Sequence, residues 1–260
     1  MHRLYLAVVI LVLIVAGCSS IGNVRKDNAE DQYETARSLY ERGKYFHAAE
    51  AFRLMIFNYS GVSYIDSVQY FLGMCYFNDN DYILAVSEFR RLVRNFPTSP
   101  LADDGQLMIC KCFYLAAPEN TGLDQTETNT ALTEIKNFIE DFPQSPLIGE
   151  AKELLTECRG RITKKLFESG QQYYRMGMYT SARVYFEEIV AEYESPQWRG
   201  CALYLLAEID AKQGKYADAE LKLNNFLQAF SGHKWEKKAR SKLEKIQTET
   251  DHSSVASDTI

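Results

Sequence analysis

Residues 72–97 read LGMCYFNDNDYILAVSEFRRLVRNFP, and their spacing decides the fold. Gly73 and Ala85 are small residues placed where two antiparallel helices can cross. Tyr76, Tyr82 and Phe89 supply bulk around that crossing. Pro97 lacks an N–H and clashes with the preceding turn, so it stops the second helix. The stretch therefore predicts a helix–turn–helix unit. One such unit cannot bury its apolar face alone, which requires further copies in the chain.

The copies occur as a ladder. The alanine of the second helix recurs at Ala48, Ala85, Ala131, Ala182 and Ala219, at intervals of 37, 46, 51 and 37 residues. A helix-ending aromatic recurs at the same intervals, at Tyr59, Phe96, Phe142, Tyr193 and Phe230. The small residue of the first helix recurs at Ala36, Gly73, Cys110, Gly170 and Ala207. A turn residue recurs at Tyr45, Tyr82, Thr128, Tyr179 and Tyr216, and a bulky residue at Phe52, Phe89, Ile135, Phe186 and Leu223. These columns match the tetratricopeptide (TPR) pattern. The expected fold is all-α: a TPR superhelix of five helix-turn-helix repeats with a C-terminal capping helix.

The two long intervals are insertions. Nine extra residues fall between the helices of the third copy, around Pro118 to Gly122, a loop composition. Fourteen precede Gly170, where Leu147 to Tyr174 reads as one unbroken helix. Fourteen residues are close to four helical turns, so the helix lengthens without rotating its apolar face.

The N-terminus is a targeting segment. Arg3 is followed by an apolar run, Leu4 to Ala16, too short to span a membrane as a helix. The run ends Val15-Ala16-Gly17-Cys18-Ser19-Ser20, which resembles the bacterial lipobox. The resemblance implies diacylglyceryl transfer to Cys18, cleavage before it and N-acylation, giving stable anchoring through several acyl chains. Ser19 is not the aspartate that retains lipoproteins in the inner membrane, so the implied destination is the outer membrane, facing the periplasm. Residues 18–31 then form a polar tether. Residues 32–142 hold repeats one to three, and 143–247 hold repeats four and five with the capping helix. The tail, 248–260, lacks periodicity and reads as disordered.

At the joints, Ser99-Pro100, Ser145-Pro146 and Ser195-Pro196 predict a serine cap followed by proline in the first helical turn, and Asp66 or Ser67 predicts a cap for the first helix of repeat two. After Gly232, Trp235, Ala239, Leu243 and Ile246 define an amphipathic final helix. Its lysines and arginine (Lys234, Lys237, Lys238, Arg240, Lys242, Lys245) read as a solvated face rather than a binding patch.

Net charge is −6, which argues against nucleic acid as a main partner. Six cysteines occur: Cys18, Cys75, Cys110, Cys112, Cys158 and Cys201. The last five sit inside helical patterns and read as small buried residues, although an oxidising compartment leaves a disulfide open. No histidine cluster accompanies them, so no zinc site, other metal or cofactor is expected. No catalytic constellation is present. His47 and His233 stand alone, and the pairs Asp103-Asp104 and Glu187-Glu188 lie on helices, the first where negative charge suits a helix N-terminus.

Lipobox, tether, five TPR units, the two insertions and a terminal helix together resemble the BamD family, TPR lipoproteins of the outer-membrane β-barrel assembly machinery. The aromatic-Pro-x-Ser-Pro junctions at Phe96 to Pro100 and Phe142 to Pro146 fit that resemblance. It implies a non-enzymatic scaffold whose amino-terminal repeats bind segments of unfolded outer-membrane proteins. Its carboxy-terminal repeats would dock the POTRA region of the barrel-forming subunit. The TPR groove, projected from the packing columns, would be lined by Tyr33, Arg37 and Tyr40; Tyr70, Met74 and Phe77; and Leu107, Lys111 and Tyr114. In the last two repeats the projection reaches Phe167, Gln171, Tyr174, Tyr204, Glu208 and Ala211. Tyr204, Glu208 and Trp235 are the expected docking residues. Aromatics with an Arg and a Lys suit an extended peptide with aromatic side chains and a terminal carboxylate. Packing between repeats is the other use for the same aromatics. Two alternatives stand beside this reading: another TPR lipoprotein scaffold, for pilus assembly or envelope division, and a cell-wall hydrolase. The second is disfavoured because the repeats consume nearly all residues from 30 to 246.

Overall fold

The computed structural model describes residues 29–257, with side chains through residue 249. Among these, all regular structure is α-helical. In chain order the helices are α1 (Ala29–Glu41), α2 (Tyr45–Asn58), α3 (Ile65–Asn78), α4 (Tyr82–Asn95), α5 (Ala102–Ala116) and α6 (Thr126–Asp141). They continue as α7 (Ile148–Arg175), α8 (Tyr179–Glu192), α9 (Pro196–Lys212), α10 (Tyr216–Ala229) and α11 (Glu236–Ser257). The lipobox and Cys18 lie outside the described residues. The fold is all-α and built of TPR helix pairs.

The described residues divide into two compact units, 29–79 and 80–257. The division falls inside the stretch quoted first: α3 carries Leu72, Gly73 and Tyr76, and α4 carries Ala85 and Phe89. The boundary expected at 142/143 lies within the second unit. There α6 and α7 pack together, and one core spans the junction, from Ala131, Ile135 and Phe138 to Ala151, Leu154 and Cys158.

In the first unit α2 packs on both α1 and α3, and α1 also meets α3. The core holds Ala36, Ala48, Phe52, Met55, Val68, Leu72 and Cys75. In the second unit each helix packs on the next, with further contacts of α5 on α7 and α7 on α9. Its carboxy-terminal core gathers Phe167, Phe186, Ile189, Leu206, Leu223 and Phe226.

Three of the sequence columns are buried in all five copies: the second-helix alanine, the bulky residue four later, and the small first-helix residue. A fully buried Phe such as Phe52, Phe89 or Phe186 contributes about 2–3 kcal/mol of transfer free energy. The small residues admit these rings. A Cβ on Gly170 would lie 2.7 Å from Cε1 of Phe186. The helix-ending aromatics Tyr59, Phe96, Phe142, Tyr193 and Phe230 sit at the C-caps of α2, α4, α6, α8 and α10. The tight turns within repeats pass through the left-handed region at Gly43, Gly177 and Gly214, and at Asn80 in the second repeat. Glycine enters that region freely and asparagine is the usual substitute.

Four joints differ from expectation. The Ser99 and Ser145 hydroxyls accept from the N–H of Leu101 and Leu147, each at 3.1 Å. These are two-residue side-chain turns, and α5 and α7 start only after them, so neither serine is a helix cap. Pro196 does occupy the first turn of α9, without a side-chain bond from Ser195. Asp66 lies inside α3 and accepts from the N–H of Ser67 at 2.8 Å, so neither residue precedes the helix as a cap. Finally, α11 runs to Ser257, beyond the end of the apolar pattern at Ile246. Periodicity reports burial, and Ile246 is the last buried residue of α11 among those described.

Cys75, Cys110, Cys112, Cys158 and Cys201 are buried free thiols. Burial pushes all five thiols up, Cys75 and Cys112 to about 12 and Cys158 and Cys201 to about 11, so they stay protonated near neutrality.

Candidate functional site

The aromatic side chains of α1 meet α3 and the residue that precedes it. Tyr33 packs on Tyr64 at 5.1 Å between ring centroids, and Tyr40 meets Phe71 edge-on at 5.4 Å. The Arg37 guanidinium lies over the Phe71 ring, 3.9 Å from its centroid. Asn78 donates to the Tyr40 hydroxyl at 3.0 Å and to the Met74 carbonyl at 2.9 Å. Burial pushes the Tyr40 phenol up. Tyr33, Arg37 and Tyr40 thus do inter-repeat packing, and each keeps part of its surface exposed. Phe71 and Asn78 complete the cluster. Sequence projection missed them, although their seven-residue spacing puts both on one face of α3.

Tyr70, Met74 and Phe77 form a second face of α3, all half-buried. Tyr70 meets Phe71 edge-on at 5.6 Å, which joins this face to the cluster.

Both cations of the projected groove are partnered. Arg37 pairs with Glu41 at 3.2 Å, and Lys111 with Glu150 at 2.6 Å. Both glutamates are exposed, so an incoming carboxylate can exchange with them at small cost. Arg161 lies 4.1 Å from the Tyr114 ring centroid and donates to the Tyr114 carbonyl at 3.1 Å. Leu107 is buried in the α5–α7 core and offers no surface.

In the last two repeats three of the six offset positions, Phe167, Tyr204 and Ala211, are buried, while Gln171, Tyr174 and Glu208 stay half-buried. Phe167 is buried against Trp198 and Trp235, at centroid distances of 4.9 and 6.3 Å. Gln171 is held by Arg175, and Ala211 is buried. Tyr204 is only 7 % exposed and meets Trp235 edge-on at 5.3 Å. Tyr204 and Tyr174 both donate to Glu208, at 3.0 and 2.9 Å, and burial beside that carboxylate pushes both phenols up. The structure therefore brings Tyr204, Glu208 and Trp235 together. Tyr204 thereby supports Glu208. An open cavity of about 440 Å³ lies over Tyr204 and Glu208, rimmed by Lys237, Lys238, Lys242 and Lys245 of α11.

Buried Asp210 of α9 was not singled out in the sequence. It accepts from Arg183 of α8 at 2.5 Å and pairs with Lys222 of α10 at 2.7 Å. Burial alone raises a carboxyl; here the Lys222 and Arg183 bonds outweigh it and hold Asp210 below the usual range. Only tertiary structure joins these three charges, since their sequence positions match ordinary solvated helix faces.

The paired carboxylates have structural partners. The Ser145 hydroxyl donates to Asp103 at 2.7 Å, and Glu187 pairs with Arg183 at 3.5 Å. His233 donates through Nε2 to the Gln197 carbonyl at 3.2 Å while its Nδ1 accepts the Trp235 N–H at 3.1 Å, pinning the segment that leads into α11 to α9. Among the described residues no group of three His, Cys, Asp or Glu is placed to hold a metal. Nor is any described helix long and apolar enough to cross a membrane.

A family model described as outer membrane lipoprotein, YfiO, matches residues 25–165, more than half of the chain. A tetratricopeptide repeat model matches residues 166–195, the end of α7 and all of α8. No curated protein matches the chain. Among solved structures it is similar to a thermophilic TPR protein of Thermus thermophilus, at 14 % identity and TM-score 0.36, over 85 % of this chain and all of that one. It is similar to a TPR repeats protein of Bacteroides fragilis at 12 % identity and TM-score 0.47, over 85 % and 98 % of the two chains. The yeast Sti1 TPR2AB domain, in a complex with pHSP90, aligns at 10 % identity and TM-score 0.47, over 88 % and 86 %.

Proposed function

The chain belongs to the YfiO family of outer membrane lipoproteins, the BamD family, and from that membership we propose that it is a lipid-anchored scaffold of the β-barrel assembly machinery. Its role is non-enzymatic. It sits on the periplasmic face of the outer membrane, held by acyl chains on Cys18. The first repeats hold extended segments of unfolded outer-membrane proteins. The last repeats dock the POTRA region of the barrel-forming subunit.

One coincidence carries the reading. The family match covers 25–165, and the aromatic face of Tyr70, Met74 and Phe77, with the exchangeable cation Arg37 in the same compact unit, falls inside it. Aromatic side chains of a client would lie against the half-buried rings of α3. Its terminal carboxylate would replace Glu41 on Arg37. In the last repeats, the lysine rim over Tyr204 and Glu208 suits an acidic partner surface.

Affinity purification of the full chain from solubilised envelopes tests the assignment, and the barrel-forming subunit is expected to co-purify. Recovery of pilus or septation proteins instead overturns it. For client binding, Tyr70→Ala with Phe77→Ala is expected to weaken affinity for carboxy-terminal outer-membrane-protein peptides about tenfold or more, with helical content unchanged. Equal affinity in titration calorimetry removes the α3 face from the site.

A further inference from the structure

The outer face of α2 carries three large exposed apolar side chains: Phe46 at 64 %, Leu54 at 59 % and Phe57 at 85 % exposure. At 100° per residue Phe46 and Phe57 fall roughly 20° apart and Leu54 lies about 60° beyond, on one face. Glu50 and Arg53 sit between them and pair at 3.9 Å, which neutralises the stripe.

The repeats supply an internal control. The position of Phe46 is taken by Ile83, Asn129, Thr180 and Ala217 in the other copies. That of Leu54 is taken by Arg91, Asn137, Glu188 and Asn225, and that of Phe57 by Arg94, Glu140, Ala191 and Gln228. Repeat packing therefore does not require apolar residues there. Only the first copy has all three, and it is the copy next to the tether. From Cys18 to Ala29 the chain spans eleven residues, at most about 40 Å when fully extended. The first helix pair cannot leave the neighbourhood of the bilayer.

We propose that the outer face of α2 is a membrane-contact surface, with Phe46, Leu54 and Phe57 seated in the interfacial zone of the leaflet that holds the anchor. The inference rests on lipidation of Cys18. The acyl chains provide retention, and the α2 face provides orientation. Because α2 packs on α1 and α3 through its opposite side, seating it on lipid turns those two helices toward the periplasm.

The test places a photo-crosslinking p-benzoylphenylalanine at position 57, and as a control at 191, the matching exposed position on α8, in the full chain in cells. Irradiated envelopes are digested and the peptides weighed. Phospholipid adducts are expected at 57 in at least fivefold excess over 191. Equal yields at the two positions, or an adduct at 57 with a partner protein or a second copy of the chain, overturns the proposal. The N-terminal peptide of the same sample reports the anchor separately. Acylated Cys18 without lipid adducts at 57 defeats the α2 contact alone, whereas unmodified Cys18 defeats the anchor reading.

Discussion

Asp210 shows how much one residue can carry that no local pattern announces. It is 1 % exposed and tied to Arg183 and Lys222, so three consecutive helices, α8, α9 and α10, share one carboxylate. Asp210→Asn is expected to cost about 3 kcal/mol in urea unfolding at pH 7. That is the low end for breaking a buried pair, because both cations keep some water. The sign with pH follows from the depressed carboxyl. Its stabilisation is fully present above the unfolded aspartate value, about 3.9, and is lost as pH falls below it. The gap between native chain and variant should therefore close below about pH 4. A gap that stays constant with pH would mean the charge is not what matters. Gly177 is the converse case: at φ 75° nothing lies within 4 Å of an added Cβ, so the constraint is backbone alone. Gly177→Ala should lower stability by about 1–2 kcal/mol, and Gly177→Asn by less. Equal losses in thermal unfolding would contradict a left-handed turn.

At the scale of elements, the two insertions read separately in sequence turn out to be one device. Thr121 and Leu123 in the inserted loop meet Glu168 and Lys165 on the lengthened α7; the Thr121 hydroxyl donates to Glu168, and Lys165 donates to the Leu123 carbonyl at 2.6 Å. Inside the loop, Gln125 donates to the Pro118 carbonyl at 3.0 Å and accepts from Thr128 at 2.7 Å, so buried polar groups are satisfied locally. Thr128 replaces the turn tyrosine of the other copies for this reason: its hydroxyl closes the loop, where a ring would displace it. Thr121→Val should cost about 1.5 kcal/mol, the scale of a bond to a charged acceptor. A double-mutant cycle with Glu168→Gln should show coupling of similar size. Additive losses would mean the loop is held elsewhere.

For the whole molecule, the family places the chain among outer membrane lipoproteins, and the proposed anchor is Cys18. Cys18→Ala is expected to release the protein from membranes in carbonate extraction of envelopes. Its retention there would show that lipid is not the anchor.

One dimension sufficed for the repeat pattern, the columns that are buried and the unbroken run of α7, because each follows from local periodicity. It also reached the family, since a lipobox joined to TPR columns is readable along the chain. The site was legible only in part. Projection named Tyr33, Arg37 and Tyr40, but the folded chain was needed to place them against Phe71 and Asn78. Folding likewise covered Phe167 with Trp198 and Trp235, and buried Tyr204 beside Glu208. The reason is physical. Helical period tells which face of a helix is buried, whereas the residue that buries it, and how much surface is left for a partner, depends on chain segments tens of residues away.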